Sequence, residues 1–284
     1  MLSSKTLTKI CLRLLLPVLL MILILPAMAW SLNGADVAIY NDTAYQFGGA
    51  WSTGLIAIKT ALTYYGYTYE DITPEALNTA VNLNSLYKTI IFGGGWAGGY
   101  NTYVTASGYN NIRNFIYNGG GYIGICAGAY FASNMVLWRE QFQSTINLYD
   151  YPLDLFNGFG IGSVFEIIGW NVPTGCTTGI TQSAAMTTVS IDTSILPDVS
   201  PTLNILYFGG PFFVPFDTGI TVVGRYSGGA ASNNQPAMIM FNYGSGKVFL
   251  TGPHPEISFS NCTLWYDTST WQLLRSVVKK LTGK

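Results

Sequence analysis

The sequence predicts an α/β domain built on a mostly parallel central sheet with helices on both faces, extended by extra strands in its second half. Three observations predict it. Short apolar runs alternate with helix-length segments from residue 36 to residue 131, the order in which β–α–β units follow one another. Those runs are apolar throughout, as strands covered on both faces are. From residue 158 to residue 246 strand candidates and turn residues crowd together, with no linker that would open a second domain.

The elements follow in order. Residues 36–40 read as a buried strand that stops at Asn41-Asp42, and a glycine-bounded helix covers about 50–65. Residues 68–72 form a second strand. Pro74 opens a short helix at a first-turn position, where its missing N–H is not needed. Residues 89–92 form a third strand that runs into Gly93-Gly94-Gly95. A helix over about 109–117 ends at Asn118-Gly119-Gly120, residues 122–125 form a fourth strand, and Cys126 leads into a helix through Phe131. Further strands are expected at 164–168, 205–208, 221–226 and 236–241. Gly244-Ser245-Gly246-Lys247 resembles the end of a phosphate loop, but Phe241 stands where that motif needs glycine and strands flank it, so it reads as a hairpin turn. Residues 247–250 form a late strand. A last helix over about 268–281 gathers Trp271, Leu274, Val278 and Leu281 on one face, with Lys279 and Lys280 at its negative end.

Composition narrows the function. The 284 residues are 49% apolar and only 10% charged, against about 25% charged in an average soluble protein. That excludes a disordered chain. The net charge of −1 gives no electrostatic footprint for nucleic acid. Lys5, Lys9 and Arg13, then an apolar run over 14–25 and Ala27-Met28-Ala29, describe a secretory signal peptide over 1–29, with the mature domain at 30–284. The expected setting is therefore extracytoplasmic, with membrane contact only through an uncleaved leader. Cleavage leaves 10 cations against 14 acids, a balance of −4. It also leaves Cys126, Cys176 and Cys262, an odd number that suggests one pair and one free thiol. Because Cys126 lies in a special motif, the expected disulfide is Cys176–Cys262.

Two segments carry chemistry. Gly124-Ile125-Cys126-Ala127-Gly128 lies between a buried strand and a helix, the thiol version of a nucleophile elbow. Such a turn lifts the sulfur out of the sheet, and the following helix directs its positive end at it, favouring thiolate. The Ala127 amide would face an oxyanion, and Gly94 or Gly95 would supply a second donor. The other segment is His254-Pro255-Glu256. His254 is the only histidine and thus the sole ordinary neutral-pH base. Pro255 biases it toward an extended backbone, where residues i and i+2 share a side, so Glu256 reaches the imidazole. Nucleophile, base and orienting carboxylate make a triad. With one histidine and no close cysteine pair there is no zinc site, and the chemistry calls for no metal or organic cofactor.

At these residues the chain resembles the class I glutamine amidotransferase-like superfamily, which has a flavodoxin-like three-layer sandwich, a G-x-C-x-G elbow and a late H-x-E pair. It is more closely similar to the family of the biotin–protein ligase N-terminal domain. The similarity runs through Arg113-Asn114-Phe115-Ile116, Gly119 to Ser133, Leu206 to Phe213, Val223 to Tyr226 and Gly244 to Glu256. It implies Cys126 as nucleophile, His254 as base and Glu256 as its partner. Strand-end position and family likeness together suggest Tyr40, Asn41, Phe208, Arg225 and Tyr226 as pocket residues. There is no G-R-G-R-x-G stretch of a biotin-ligase catalytic segment. The expected function is a thiol hydrolase attacking an amide or related acyl carbon of a small molecule or peptide through a thioester. A non-catalytic binding module and a redox-responsive cysteine protein are the alternatives.

Overall fold

A computed structural model describes residues 32–140, 145–168, 184–227, 234–261 and 263–284. The leader read at 1–29 and the Cys176–Cys262 pair lie outside the described residues. Leu32–Lys284 forms one unit.

The chain begins with β1 (Val37–Tyr40), α1 (Ser52–Tyr64), β2 (Tyr69–Ile72), α2 (Pro74–Thr79), β3 (Thr89–Phe92), α3 (Ala97–Tyr103), α4 (Ala106–Tyr117), β4 (Gly121–Ile125) and α5 (Ala127–Ala132). Pro74 does open α2, and the Thr73 hydroxyl caps it by accepting from Ala76 N at 3.3 Å. There follow β5 (Ser133–Arg139), β6 (Ile146–Asp150), β7 (Phe156–Gly162), α6 (Phe165–Ile168), β8 (Ala185–Ile191), β9 (Thr202–Tyr207), β10 (Phe212–Pro215), β11 (Thr221–Tyr226), β12 (Pro236–Tyr243) and β13 (Gly246–Thr251). A small hairpin of β14 (Ser258–Ser260) and β15 (Thr263–Trp265) precedes α7 (Thr268–Thr282). Asp267 caps α7 by accepting from Ser269 N, and Gly283 ends it in the left-handed conformation.

The central sheet runs β2-β1-β3-β4-β13-β12-β11-β8-β9. Its first five strands are parallel and its last four join antiparallel, so the sheet is more mixed than expected. In the parallel half, successive residues go to opposite cores. Ala38, Tyr40, Ile90, Phe92, Tyr122, Val248 and Leu250 point into one cluster, with α2 to α5. Val37, Ile39, Ile91, Ile123, Ile125 and Phe249 point into the other, with α1 and α7. This double coverage is why the middles of β1, β3, β4 and β13 are apolar on both faces, while the edge strand β2, Tyr69-Glu70-Asp71-Ile72, is largely exposed.

Two expectations fail. Residues 164–168 hold the short helix α6, not a strand: a five-residue run with four apolar members is too short to show a period that tells the two apart. The sheet β10-β7-β5-β6, packed over the first cluster, was not expected at all. Its strand β5 follows α5 with no intervening turn residue. The Gly244-Ser245 segment is a hairpin turn joining antiparallel β12 and β13.

Candidate active site

Neighbouring parallel strands set the geometry. Ile125 of β4 lies beside Thr251 of β13, and Cys126 N donates to Thr251 O at 2.8 Å. The chain leaves β4 at Cys126 with φ 51 and ψ −101, on the side of the backbone map that costs a non-glycine residue roughly 1–3 kcal/mol. The flanking glycines permit this. A Cβ on Gly124 would lie 2.6 Å from the Gly128 carbonyl oxygen, and one on Gly128 would run into that of Phe92. The strained elbow expected from G-x-C-x-G is therefore formed, with an unpaired thiol that is 6% exposed.

Beyond β13, Thr251 Oγ1 donates to Pro253 O at 2.9 Å and His254 N donates to Leu206 O at 2.8 Å. The second bond ties the edge strand β9 back to the segment leaving β13. The next residues of that edge reach the elbow, where Cys126 Sγ donates to Phe208 O at 3.5 Å. Glu256 Oε1 holds His254 Nδ1 at 2.8 Å, with both side chains buried. Glu256 is anchored in turn through its backbone, because Trp271 Nε1 donates to its carbonyl oxygen at 2.7 Å. The imidazole meets Trp51 edge-on at 5.6 Å. On another side it meets Gly94, where a Cβ would stand 2.5 Å from His254 Cε1. Nε2 is buried with no oxygen or nitrogen partner, and the Cys126 thiol is the group that interacts with that ring. Burial alone lowers the imidazole pKa. The charges of Glu256 and Cys126 and their hydrogen bonds outweigh it and push it up to about 10.

The Gly93-Gly94-Gly95 loop is locked in place. Gly93 O accepts from Gly128 N and Tyr100 Oη, and Gly94 O accepts from Trp51 N at 2.9 Å. Gly95 takes φ 139, and a Cβ there would collide with the Gly49 carbonyl oxygen. Asp42 supports the facing loop by accepting from Gly49 N and Ala50 N at 2.8 and 2.7 Å. Ala127 N is the first amide of α5, which a helix leaves without an internal acceptor.

A cleft opens over Cys126. It has two adjoining lobes of about 390 and 510 Å³, both lined by Cys126, Trp96, Trp138, Glu140 and Phe208. His254 lines the larger one. Of the suggested pocket residues only Phe208 lies here. Tyr40 is stacked on Phe92 at 4.4 Å in the first core, because the last residue of β1 turns toward that face. Asn41 bonds Asp71 at 2.9 Å, at the outer side of the sheet. Arg225 and Tyr226 lie on β11, three places from β4, where they bond Asn234 O and Pro211 O. Trp51, Trp96, Trp138 and Glu140 were missed. Trp96 directly follows the glycine loop and was open to notice, whereas Trp138 belongs to the unexpected sheet and Glu140 directly follows its strand β5. No cluster of three or more His, Cys, Asp or Glu placed to hold a metal ion occurs among the described residues. Nor is any helix among them long and apolar enough to cross a membrane.

Comparison with known proteins gives a consistent picture. The family described as Biotin-protein ligase, N terminal, matches residues 35–284. A biotin–protein ligase of Schizosaccharomyces pombe is 30% identical over 200 residues, covering 68% of this chain and 30% of the yeast protein. The chain thus spans under a third of the curated relative it matches. Among solved structures, a putative GMP synthase subunit from Thermoplasma acidophilum superposes with a TM-score of 0.50 at 12% identity, covering 88% of this chain and 94% of that one. A cytoplasmic protein of Salmonella typhimurium superposes equally well, with a TM-score of 0.50 at 12% identity and coverages of 87% and 98%. These two similarities concern the fold alone.

Proposed function

The chain belongs to the biotin–protein ligase N-terminal family, and from that premise we propose that it is an exported, cysteine-dependent amide hydrolase. The observation that carries this reading is the buried Glu256–His254 pair, whose one uncommitted ring nitrogen has the thiol of Cys126 for its neighbour. A binding module has no use for such an assembly, and an oxidisable thiol does not require the histidine.

The reaction runs in two halves. Cys126 Sγ, as thiolate, adds to the carbonyl carbon, and the resulting oxyanion takes hydrogen bonds from Ala127 N and the glycine loop of Gly94 and Gly95. Each such donor is worth about 3–4 kcal/mol. His254 hands its proton from Nε2 to the leaving nitrogen as the C–N bond breaks, leaving a thioester and a free amine. A water then gives a proton back to Nε2 and adds to the thioester carbon. The C–S bond breaks, and a carboxylic acid and the resting pair are restored. Glu256 keeps the Nδ1 side of the ring fixed throughout.

The test is the iodoacetamide alkylation rate of Cys126 against pH, read by mass mapping of its peptide. The native protein is expected to react fast already near pH 6, and His254→Ala to slow that reaction at least tenfold. A profile centred at the free-thiol value of about 8.5 in both proteins overturns the proposal.

A further inference from the structure

The walls of the cleft carry a charge preference. On β5, Val136 and Trp138 stand two residues apart and both line the smaller lobe, as does Glu140 just past the strand's end, while Arg139 pairs with Glu166 at 3.1 Å. On the paired strand β6, Tyr149 and Asp150 line the same lobe. Among the described residues its wall therefore holds two carboxylates, Glu140 and Asp150, and no lysine, arginine or histidine. Among the described residues neither carboxylate forms an ion pair, and Glu140 accepts only a weak bond from Asn147 Nδ2 at 3.3 Å. Six aromatic residues line it as well, Trp96, Tyr130, Trp138, Tyr149, Tyr151 and Phe208, beside smaller or neutral ones. Aromatic faces beside free carboxylates attract organic cations through ring quadrupole and charge together. The two lobes share Cys126, and His254, whose buried Nε2 has no oxygen or nitrogen partner, lines the larger one.

We infer that this cleft selects substrates bearing an ammonium or guanidinium group beside the carbonyl that Cys126 attacks. The inference rests on the hydrolase reading and names its substrate class. The positive group sits against Trp138 and Trp96 within reach of Glu140 and Asp150. A carboxylate-bearing substrate meets two like charges there.

Charged probes of matched size test it on the full chain. A methanethiosulfonate with a trimethylammonium-ethyl arm and one with a sulfonatoethyl arm each convert Cys126 to a mixed disulfide and release methanesulfinate. Each rate is divided by its rate on the urea-unfolded chain, and modification is located by peptide mass. The normalised cationic-to-anionic ratio is expected to exceed ten in low salt and to fall several-fold in Glu140→Gln and Asp150→Asn, variants first checked for native circular dichroism. Spermidine or trilysine at equal concentration is then expected to slow iodoacetamide, and which of them does so tells a small polyamine from a basic peptide. A ratio near one, a ratio unmoved by both variants, or protection by neither cation overturns the inference. The hydrolase reading fails separately, by a free-thiol pH profile with iodoacetamide, which is neutral and blind to the charge of the wall.

Discussion

His254, the proposed base, also carries a pH signature. Its imidazole has a pKa pushed up to about 10, against about 6.5 unfolded. A raised folded value stabilises the fold fully below the unfolded pKa, and the contribution disappears as pH climbs through the folded one. The unfolding free energy of the wild type, measured against His254→Gln in urea, is therefore expected to shrink steadily between about pH 6.5 and pH 10. A difference that is flat or grows over that range contradicts the imidazolium–Glu256 pair. Gly94 is the second decisive residue. A methyl group placed 2.5 Å from Cε1 must displace the ring. Gly94→Ala is expected to reduce Cys126 alkylation near neutral pH about tenfold while overpacking costs about 1–3 kcal/mol of stability. Unaltered alkylation would show that the ring position does not govern the thiol. Cys126, His254 and Glu256 were readable in the sequence because a local turn motif and an i, i+2 spacing encode them. Trp138 and Glu140 were not, since nothing near them in the chain announces the fold that carries them to the sulfur.

Between the strands, loops and helices hold the site. Asp42 is fully buried and accepts two amides of the loop that carries Trp51 to the imidazole. Asp42→Ala leaves Gly49 N and Ala50 N without their acceptor. It is expected to cost about 1–3 kcal/mol in urea unfolding and to slow Cys126 alkylation, and a neutral result in both would remove the loop from the account. In the parallel half β1, β3, β4 and β13 were legible as mainly apolar runs bounded by turn residues or a helix signal, whereas the edge strand β2, Tyr69-Glu70-Asp71-Ile72, carries two acids and is largely exposed. The inserted sheet was not. β5 leaves α5 without a break, and β6, with Ile146 and Leu148 largely exposed, does not bury its apolar residues where a sequence reading expects them. Residues 164–168 show the same limit in miniature, since helix and strand look alike over one turn.

At the level of the whole molecule, β1, β3, β4 and β13 send alternate side chains into two cores, so neither core can be disrupted without disturbing the sheet they share. Phe92→Ala and Leu274→Ala, one from each core, are each expected to lower stability by about 2–5 kcal/mol. Unfolding should remain a single transition whether followed by tryptophan fluorescence or by circular dichroism. Two separate transitions would mean that the cores unfold independently. The same architecture separates two tasks. The proposed nucleophile and base, Cys126 and His254, follow adjacent parallel strands that backbone pairing holds about 4.8 Å apart, whereas Trp138, Tyr149 and Asp150 come from the inserted sheet and Glu140 directly follows its strand β5. On the proposed reading, a protein divided in this way can trade one clientele for another by rewriting a single hairpin, with Cys126 and His254 left where they stand.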